Sequence, residues 1–189
     1  MLNTEIPDDF SGTLLIASPY LEDANFRSSV VFLASESDTG ILGFILNRRT
    51  ENKLCDFWRQ IFGSECPVSA HVYIGGPVAG PLTVLHQAPE YADVCVGDGH
   101  FLTMEKKLIG ELVNNQIQPL KFFLGQSGWT RDQLIGEIES GAWHLLAPGQ
   151  ENLFREDSEF WIRSLQKSAG QMFAQVLGLP TIPSNPEDN

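Results

Sequence analysis

The sequence predicts an α+β fold. Two apolar, β-branched runs, 29–34 and 41–46, flank the turn residues Asp38-Thr39-Gly40, and this pattern predicts an early β-hairpin. The helical patterns that follow are intermittent, whereas a βαβ series would alternate strands and helices regularly. A length of 189 residues, of which 42% are hydrophobic, is enough to bury a core without disulfides or metals.

Strands are predicted where a short apolar run is bounded by Gly, Pro or polar residues. The first, 10–17, ends at Ser18-Pro19 because proline cannot continue a hydrogen-bonded ladder. Later strands are predicted at 71–74, 82–86, 93–96, 119–124 and 143–146. The glycine-rich segment 125–129 is predicted to be a tight turn that buries Trp129.

Helices are predicted from apolar residues at helical spacing and from capping residues. The predicted ranges are 54–62, 103–114, 130–139 and 158–177. Gly63 ends the first helix and Thr103 caps the second. Thr130 and Gln133 have the spacing of a capping box at the start of the third. The fourth is expected to break near Gly170.

The balance of charges argues against nucleic acid as a partner. Twelve Lys and Arg residues against 24 Asp and Glu residues give a formal net charge of −12, and residues 60–105 hold five acids and no Lys or Arg. Sequence-independent affinity for nucleic acid needs a concentrated basic face that neutralises phosphates. The sequence therefore predicts no direct nucleic-acid binding, and the same reasoning disfavours a membrane surface as a partner.

Residues 1–179 are expected to form a single domain, and the polar residues 180–189 a flexible tail. The acidic N-terminus does not resemble a secretory signal. Cys55, Cys66 and Cys95 form an odd set without a CxxC pair, which disfavours a secreted disulfide framework. The predicted compartment is the cytoplasm. A thiol-based sensor that uses one of these cysteines is a minor alternative.

Signatures of catalysis are largely absent. There is no Walker A motif, no HExxH motif and no paired Cys/His spacing for zinc, so no cofactor and no metal are predicted. The nearest approach is Gly125-Gln126-Ser127-Gly128-Trp129, which lies between a strand and a helix as a nucleophile elbow does. The elbow needs glycine where Trp129 stands. No catalytic residue is therefore predicted.

Donor-rich residues are predicted to meet at one end of the early hairpin. Asn25, Arg27 and Ser28 precede its first strand. Asn47 and Arg48 follow its second strand, so pairing of the two strands brings the five residues together. Such a group can hold an anion or a carboxylate. In the structural alternative, an arginine pairs with an adjacent acid and Asn25 caps its own turn.

Three further features extend this candidate ligand site. Gly75-Gly76 follows a predicted strand. Its amides can form an anion-binding nest, or the two glycines can let two backbone segments approach closely. The close approach is the favoured interpretation. His86 ends another strand and is either a general base without an identified partner or a buried, hydrogen-bonded histidine. Ser127 is retained as a candidate ligand contact in the predicted turn.

Four segments, taken in order, resemble the YqgE/AlgH family of bacterial proteins. They are GTLLIASPYLEDANFRSSVVFL (12–33), GILGFILNRR (40–49), VYIGGPVAGPLTVLH (72–86) and FFLGQSGWTRDQLIGEIESGAWHLL (122–146). The resemblance implies a strongly bent mixed sheet that forms a pseudo-barrel with helices packed outside. The motif positions that it carries onto this chain are Asn25, Phe26, Arg27, Asn47, Arg48, Gly75, Gly76, Pro77, His86, Gly125, Gly128, Trp129 and Gln133.

The chain departs from the family pattern around the glycine-rich turn. Gln126 stands where the family has an aromatic residue, Ser127 where it has alanine, and Ile135 where it has glutamate. Any site that depends on the tyrosine phenol or on the glutamate carboxyl that the family has at these positions is in doubt in this chain. The resemblance implies no catalytic role for the motif positions, which together define a candidate surface.

Two hypotheses of function follow. The resemblance implies a role in regulating exopolysaccharide transcription, but the chain has no helix-turn-helix with a basic recognition helix. The leading hypothesis is therefore a non-enzymatic regulatory or interaction protein that affects transcription indirectly. The alternative is a binder or hydrolase of a phosphorylated or carboxylated metabolite, which would use the Asn25/Arg27/Asn47/Arg48 end and the Gly75-Gly76 turn. The protein partner and the oligomeric state are left open.

Overall fold

The computed structural model describes residues 6–176, in which two β-sheets pack face to face and helices cover their outer faces. The strands are β1 (Leu14–Ala17), β2 (Val30–Ser37), β3 (Gly40–Ile45), β4 (Arg49–Lys53), β5 (His71–Ile74), β6 (Thr83–His86), β7 (Val94–Gly97), β8 (His100–Thr103), β9 (Lys121–Leu124), β10 (Ser127–Trp129) and β11 (Trp143–Leu146). The helices are α1 (Leu54–Phe62), α2 (Lys106–Asn114), α3 (Arg131–Glu139) and α4 (Phe160–Val176), with a short 3-10 turn at Pro89–Tyr91.

The strands divide into an antiparallel sheet and a mixed one. Sheet A has the order β10-β3-β2-β1-β11, and sheet B has the order β4-β5-β9-β6-β8-β7, in which β5 and β9 are parallel. The sheets are joined at one corner, where the amide of Ile45 in β3 donates to the carbonyl of Gly75 after β5 (2.9 Å). The α+β class predicted from the sequence is confirmed.

Both faces of each sheet are covered, which explains the continuous apolar runs in the sequence. In β1, Leu14 and Ile16 point into the core between the two sheets, whereas Leu15 and Ala17 pack on the side covered by α3. The outer face of sheet B packs against α1 and α2. Phe160 of α4 reaches the central core. The candidate site residues named from the sequence lie at strand ends and in loops.

The early hairpin and most predicted strands are found where the sequence places them. β2 and β3 pair with Val31 opposite Ile45 and Phe32 opposite Phe44, and a bulge lies between Leu33 and Ser35. The turn prediction for 125–129 is partly wrong, because residues 127–129 form β10 beside β3. Two other short strands, β4 and β8, were not predicted, since neither shows a clear apolar alternation.

The start of α2 differs from the prediction. Thr103 does not cap this helix; it ends β8, and α2 begins at Lys106. The Asp93 carboxylate accounts for the delay, because its Oδ2 accepts hydrogen bonds from the Thr103 hydroxyl (2.8 Å) and from the amides of Met104 (2.6 Å) and Glu105 (2.9 Å). These bonds hold the chain extended for two further residues.

Two details of the other helices also differ. Thr130 caps α3 as predicted, by accepting from the amide of Gln133 (3.2 Å), but the Gln133 side chain donates to Glu137 (2.9 Å) and does not complete a capping box. α4 runs through Gly170 without the predicted break, since a single helical glycine costs only about 1 kcal/mol. The predicted tail, 180–189, lies outside the described residues. No helix found between residues 6 and 176 combines the length and apolarity that crossing a membrane requires.

Candidate functional site

The segment 23–28, between β1 and β2, forms a tight turn whose backbone is fixed by its first residue. The Asp23 carboxylate accepts a hydrogen bond from the amide of Asn25 (2.7 Å), and the Asp23 carbonyl accepts one from the amide of Arg27 (2.8 Å). Ser28 closes the turn with a φ of 56°, which few residues other than glycine adopt. The side chains of Asn25 and Arg27 are exposed on the outside of this turn.

Asn47 follows β3 and ties the end of the hairpin to the 23–28 turn. Its Oδ1 accepts from the amide of Val30 (2.9 Å), and its Nδ2 donates to the carbonyl of Ser28 (2.8 Å). Both ends of the amide group are thus engaged by the backbone that leads into β2. The predicted meeting of the two hairpin ends is present, and these bonds are its cause.

The Arg48 guanidinium donates to the carbonyl groups of the 23–28 turn. It bonds the carbonyl of Asn25 through Nη1 and that of Arg27 through Nη2 (3.1 Å). Burial is the main cause that lowers the pKa of Arg48, the neighbouring Arg27 charge lowers it further, and Asp23 opposes the change. The two arginines are therefore neighbours, and both terminal nitrogens of Arg48 already donate to backbone carbonyls.

Loss of the Arg48 guanidinium is expected to loosen the 23–28 turn. Arg48→Ala removes the donors of carbonyls at Ala24, Asn25 and Arg27, so we expect the free energy of unfolding to fall by about 2 kcal/mol. Arg48→Lys should recover less than half of this, because one ammonium cannot span acceptors that a planar guanidinium reaches. Urea unfolding and amide exchange of the turn measure both effects. The exposed neighbour Arg49→Ala is the control, and an equal loss there would contradict the prediction.

The inner side of the same turn rests on an aromatic cluster. Phe26 packs against Trp129 and Trp143, with ring centroids 5.4 and 5.5 Å apart. Both indole N–H groups donate to Oε2 of Glu137 in α3, at 3.0 and 2.8 Å. Sequence reasoning placed Trp129 in the core but missed Glu137. The sequence feature that could have pointed to it is the position of Glu137, an acid one helical turn after Gln133 in the predicted helix.

Gly75 and Gly76 lie where the two sheets meet. The amide of Gly75 donates to the carbonyl of Leu124 (2.9 Å), and its carbonyl accepts from the amide of Ile45 (2.9 Å) and from the Ser127 hydroxyl (3.1 Å). A Cβ atom on Gly76 would overlap that hydroxyl, and Ser127 is 0% exposed. The two glycines therefore permit a close approach of backbones, and the Gly75 amide is not free to hold an anion.

The structure brings only some of the candidate residues together. The hairpin-end group is next to the glycine turn, because an amide of β5 donates to the carbonyl of Arg48 (2.9 Å). His86 lies towards the opposite end of sheet B. In the register of β6 and β9, Leu85 beside His86 pairs with Lys121, the first residue of β9. Gly75 instead follows β5 at the end where Ile74 pairs with Leu124, the last residue of β9. Ligand binding by these residues stays a prediction.

His86 is a fully buried histidine with one hydrogen bond. Its Nδ1 accepts from the amide of Ala88 (3.2 Å), and the ring stacks on Phe101. Nε2 carries the proton in this arrangement, and within residues 6–176 it has no hydrogen-bond partner. Burial is the main cause that lowers the pKa of His86, although the nearby acids Glu90 and Asp93 oppose it.

The titration of His86 is expected to weaken the fold in mild acid. Its pKa is lower in the folded state than in the unfolded chain, so between the two values only the unfolded chain binds the proton, and stability falls as pH falls. His86→Asn keeps an acceptor for the amide of Ala88 but cannot titrate. We expect the stability of the wild type relative to His86→Asn to decrease from pH 7 to pH 5 in urea unfolding. His100→Asn controls for the loss of one imidazole, and a pH-independent difference for His86→Asn would contradict the prediction.

No group of three or more His, Cys, Asp or Glu side chains among residues 6–176 is arranged to hold a metal ion. Cys55, Cys66 and Cys95 are free thiols.

These features define a class of protein. It has two facing β-sheets joined at a glycine-rich crossing, with a polar turn fixed by an Asn-Arg pair at that corner. The chain belongs to the AlgH-like family, whose model matches residues 14–173. The resemblance to the YqgE/AlgH family seen in the sequence is thereby confirmed.

Relatives and solved structures agree with this assignment. A UPF0301 protein of Chlorobaculum tepidum is 32% identical over 179 residues, which is 91% of this chain and 93% of the relative. The solution structure of the AlgH protein from Pseudomonas aeruginosa is similar with a TM-score of 0.72 at 20% identity, and the match covers 95% of this chain and 99% of that one. Protein DIP2367 from Corynebacterium diphtheriae has a TM-score of 0.60 at 21% identity, with 80% and 86% covered.

Proposed function

We propose that this chain is a non-catalytic interaction protein whose contact surface is the segment 18–28, and that it affects transcription only through a protein partner. The observation that carries the proposal is the use of the donors of Asn47 and Arg48. Both side chains bond to the backbone and fix the 23–28 turn and its junction with β2. A turn held in this way presents its outer side chains in a preorganised form, which lowers the entropic cost of binding a partner.

The outer side of the segment carries two side chains suited to binding a protein. Tyr20 is 90% exposed, and tyrosine and arginine are, with tryptophan, the residue types enriched among those that dominate binding energy at interfaces. Arg27 is exposed, and no acid among residues 6–176 forms an ion pair with it. The partner surface that fits them has an apolar recess for the phenol ring and a carboxylate for the guanidinium.

Affinity capture after crosslinking in the source organism tests this proposal. The tagged wild type is compared with Arg27→Glu and Tyr20→Ser, and Arg59→Glu on α1 is the control with the same charge change on another exposed side chain. We expect a protein that the wild type and the control retain, and that Arg27→Glu and Tyr20→Ser lose by roughly tenfold or more. Capture that is unaffected by both variants would overturn the proposed surface.

A second measurement tests whether the effect on transcription is indirect. The net charge of −12 disfavours a duplex, so the pure protein should not shift labelled DNA at physiological salt. A shift that Arg27→Glu abolishes would replace the protein partner with nucleic acid.

One observation favours a small anion as a second candidate ligand. Arg27 and Arg48 are close enough that the charge of one lowers the pKa of the other, and a phosphate or carboxylate bound between them would relieve this repulsion. A binder present at 100 times its Kd adds about 2.7 kcal/mol to stability. A thermal-shift screen of sugar phosphates, nucleotides and carboxylates should therefore be flat if the protein only binds a partner protein. A shift of several degrees that Arg27→Ala removes would favour the metabolite instead.

A further inference from the structure

The chain that follows α1 turns back and places two cysteines side by side. α1 ends at Phe62 and is followed by Gly63, whose φ of 73° reverses the backbone, and the amide of Leu54 donates to the carbonyl of Ala70 (2.9 Å). Cys55, in the first turn of α1, and Cys66, in the returning segment, both donate their S–H groups to the carbonyl of Val68, at 3.2 and 3.0 Å. The two thiols share this acceptor and are close enough to interact with each other.

The surroundings give the two thiols different roles. They line an open surface groove of about 540 Å³ in which Arg59 and Glu65 also lie. Cys55 is exposed, whereas Cys66 is half-buried. Burial raises the pKa of Cys66 to about 11, and the neighbouring Cys55 thiol adds to the rise. Cys66 therefore stays protonated at neutral pH, and Cys55 is the thiol that a molecule entering the groove meets first.

We propose that Cys55 and Cys66 form a reversible dithiol–disulfide site that is oxidised by a low-molecular-weight disulfide. The Cys55 thiolate attacks one sulfur of the small disulfide, a protein mixed disulfide forms, and one small thiol leaves. Cys66 then loses its proton to water and its thiolate attacks the Cys55 sulfur. The second small thiol leaves as a thiolate, which takes up a proton from water. The protein dithiol is oxidised to a disulfide, and the small disulfide is reduced to two thiols.

The disulfide would change the structure at a defined place. It removes both S–H donors from the carbonyl of Val68 and links the first turn of α1 covalently to the returning segment. Cys95 is the internal control for this reaction. It is exposed on β7, and it is not one of the two cysteines that donate to the carbonyl of Val68. Oxidised glutathione should leave Cys95 as a mixed disulfide.

Exposure of the full-length reduced protein to mixtures of oxidised and reduced glutathione tests the proposal. Intact mass and peptide mapping follow the products in the wild type and in Cys55→Ser, Cys66→Ser and Cys95→Ser. We expect an internal Cys55–Cys66 link in the wild type and in Cys95→Ser. In Cys66→Ser, the glutathione adduct on Cys55 should accumulate roughly tenfold or more above the wild-type level, because the intramolecular attack that removes it is lost.

In Cys55→Ser and Cys66→Ser the hydroxyl can still donate to the carbonyl of Val68, so thermal unfolding is expected to show that these variants fold. An adduct on Cys55 that is equally abundant in the wild type and in Cys66→Ser would overturn the proposal. So would a link between two chains, or failure of Cys55 to react while Cys95 does.

Discussion

Replacement of Gly75 by alanine is expected to lower the free energy of unfolding by about 3 kcal/mol, which is the upper part of the range for an overpacked site. A Cβ atom there would overlap the carbonyl oxygen of Gly125 and lie 2.9 Å from the ring of Phe44. The obstacle on one side is backbone, which cannot rotate away as a side chain can. The substitution would therefore have to displace the backbone at Gly125 and the ring of Phe44, at the corner where Ile45 and Ser127 bond to Gly75.

Gly128→Ala is the matched control for this prediction. Gly128 lies in the glycine-rich segment 125–129, which contacts Gly75 through Ser127, yet a Cβ atom on Gly128 would meet only the carbonyl of Ile41, at the ordinary distance of 3.8 Å. We expect Gly128→Ala to change stability by about 0.5 kcal/mol or less. Urea unfolding midpoints measure both variants. Similar midpoints for the two would show that the corner tolerates a side chain and that close approach is not the reason for glycine at position 75.

The sequence predicted the structure where a residue pattern depends directly on which side chains are buried. The β-branched runs around Asp38-Thr39-Gly40 predicted the β2–β3 hairpin, and the hairpin in turn predicted that Arg27 and Arg48 meet. The glycines at 75 and 76 were favoured as packing residues, in agreement with the crossing that the structure contains. Patterns of this kind work because hydrophobic spacing and glycine geometry act locally.

What the sequence could not supply depends on partners far apart along the chain. β4 has the sequence RTENK and pairs with β5 although it has no apolar alternation. The sequence predicted a donor group at Arg48 but not its hydrogen bonds to carbonyl groups, because every residue has a carbonyl and no pattern marks the one that is used. Lys121 is another example, because its neighbours Leu120 and Phe122 predict a strand but give no sign that the charged side chain is buried.

Lys121 is 2% exposed, and its ammonium lies between Tyr73 of sheet B and the loop at 153–155. Nζ donates to the carbonyls of Leu153 (3.0 Å) and Arg155 (2.9 Å) and lies 4.5 Å from the centre of the Tyr73 ring. Burial lowers the pKa of Lys121 from 10.5 to about 8, although the charge of Glu156 opposes the change. The folded protein therefore releases this proton at a lower pH than the unfolded chain does.

The stability of the wild type relative to Lys121→Met is therefore expected to rise with pH. Below about pH 8 both states of the wild type carry the ammonium, and the folded state bears the cost of burying it. Between about pH 8 and 10.5 only the unfolded chain still holds the proton, so each unit of pH adds up to about 1.4 kcal/mol to the folded state. From pH 7 to pH 10 the difference between the two proteins should change by about 2–3 kcal/mol in favour of the wild type.

Comparing the two proteins at each pH removes the contribution of other groups that titrate in alkali, and it also removes any constant cost of fitting methionine into the site. Lys107→Met is the control, because the Lys107 side chain is 76% exposed and forms a surface ion pair with Glu111. The difference in stability between the wild type and Lys107→Met should therefore stay constant with pH within about 0.5 kcal/mol. A Lys121→Met difference as flat as that of Lys107→Met would mean that the two carbonyls and the tyrosine ring stabilise the ammonium as well as water does. In that case the buried ammonium of Lys121 would hold the loop at 153–155 without an electrostatic cost of burial.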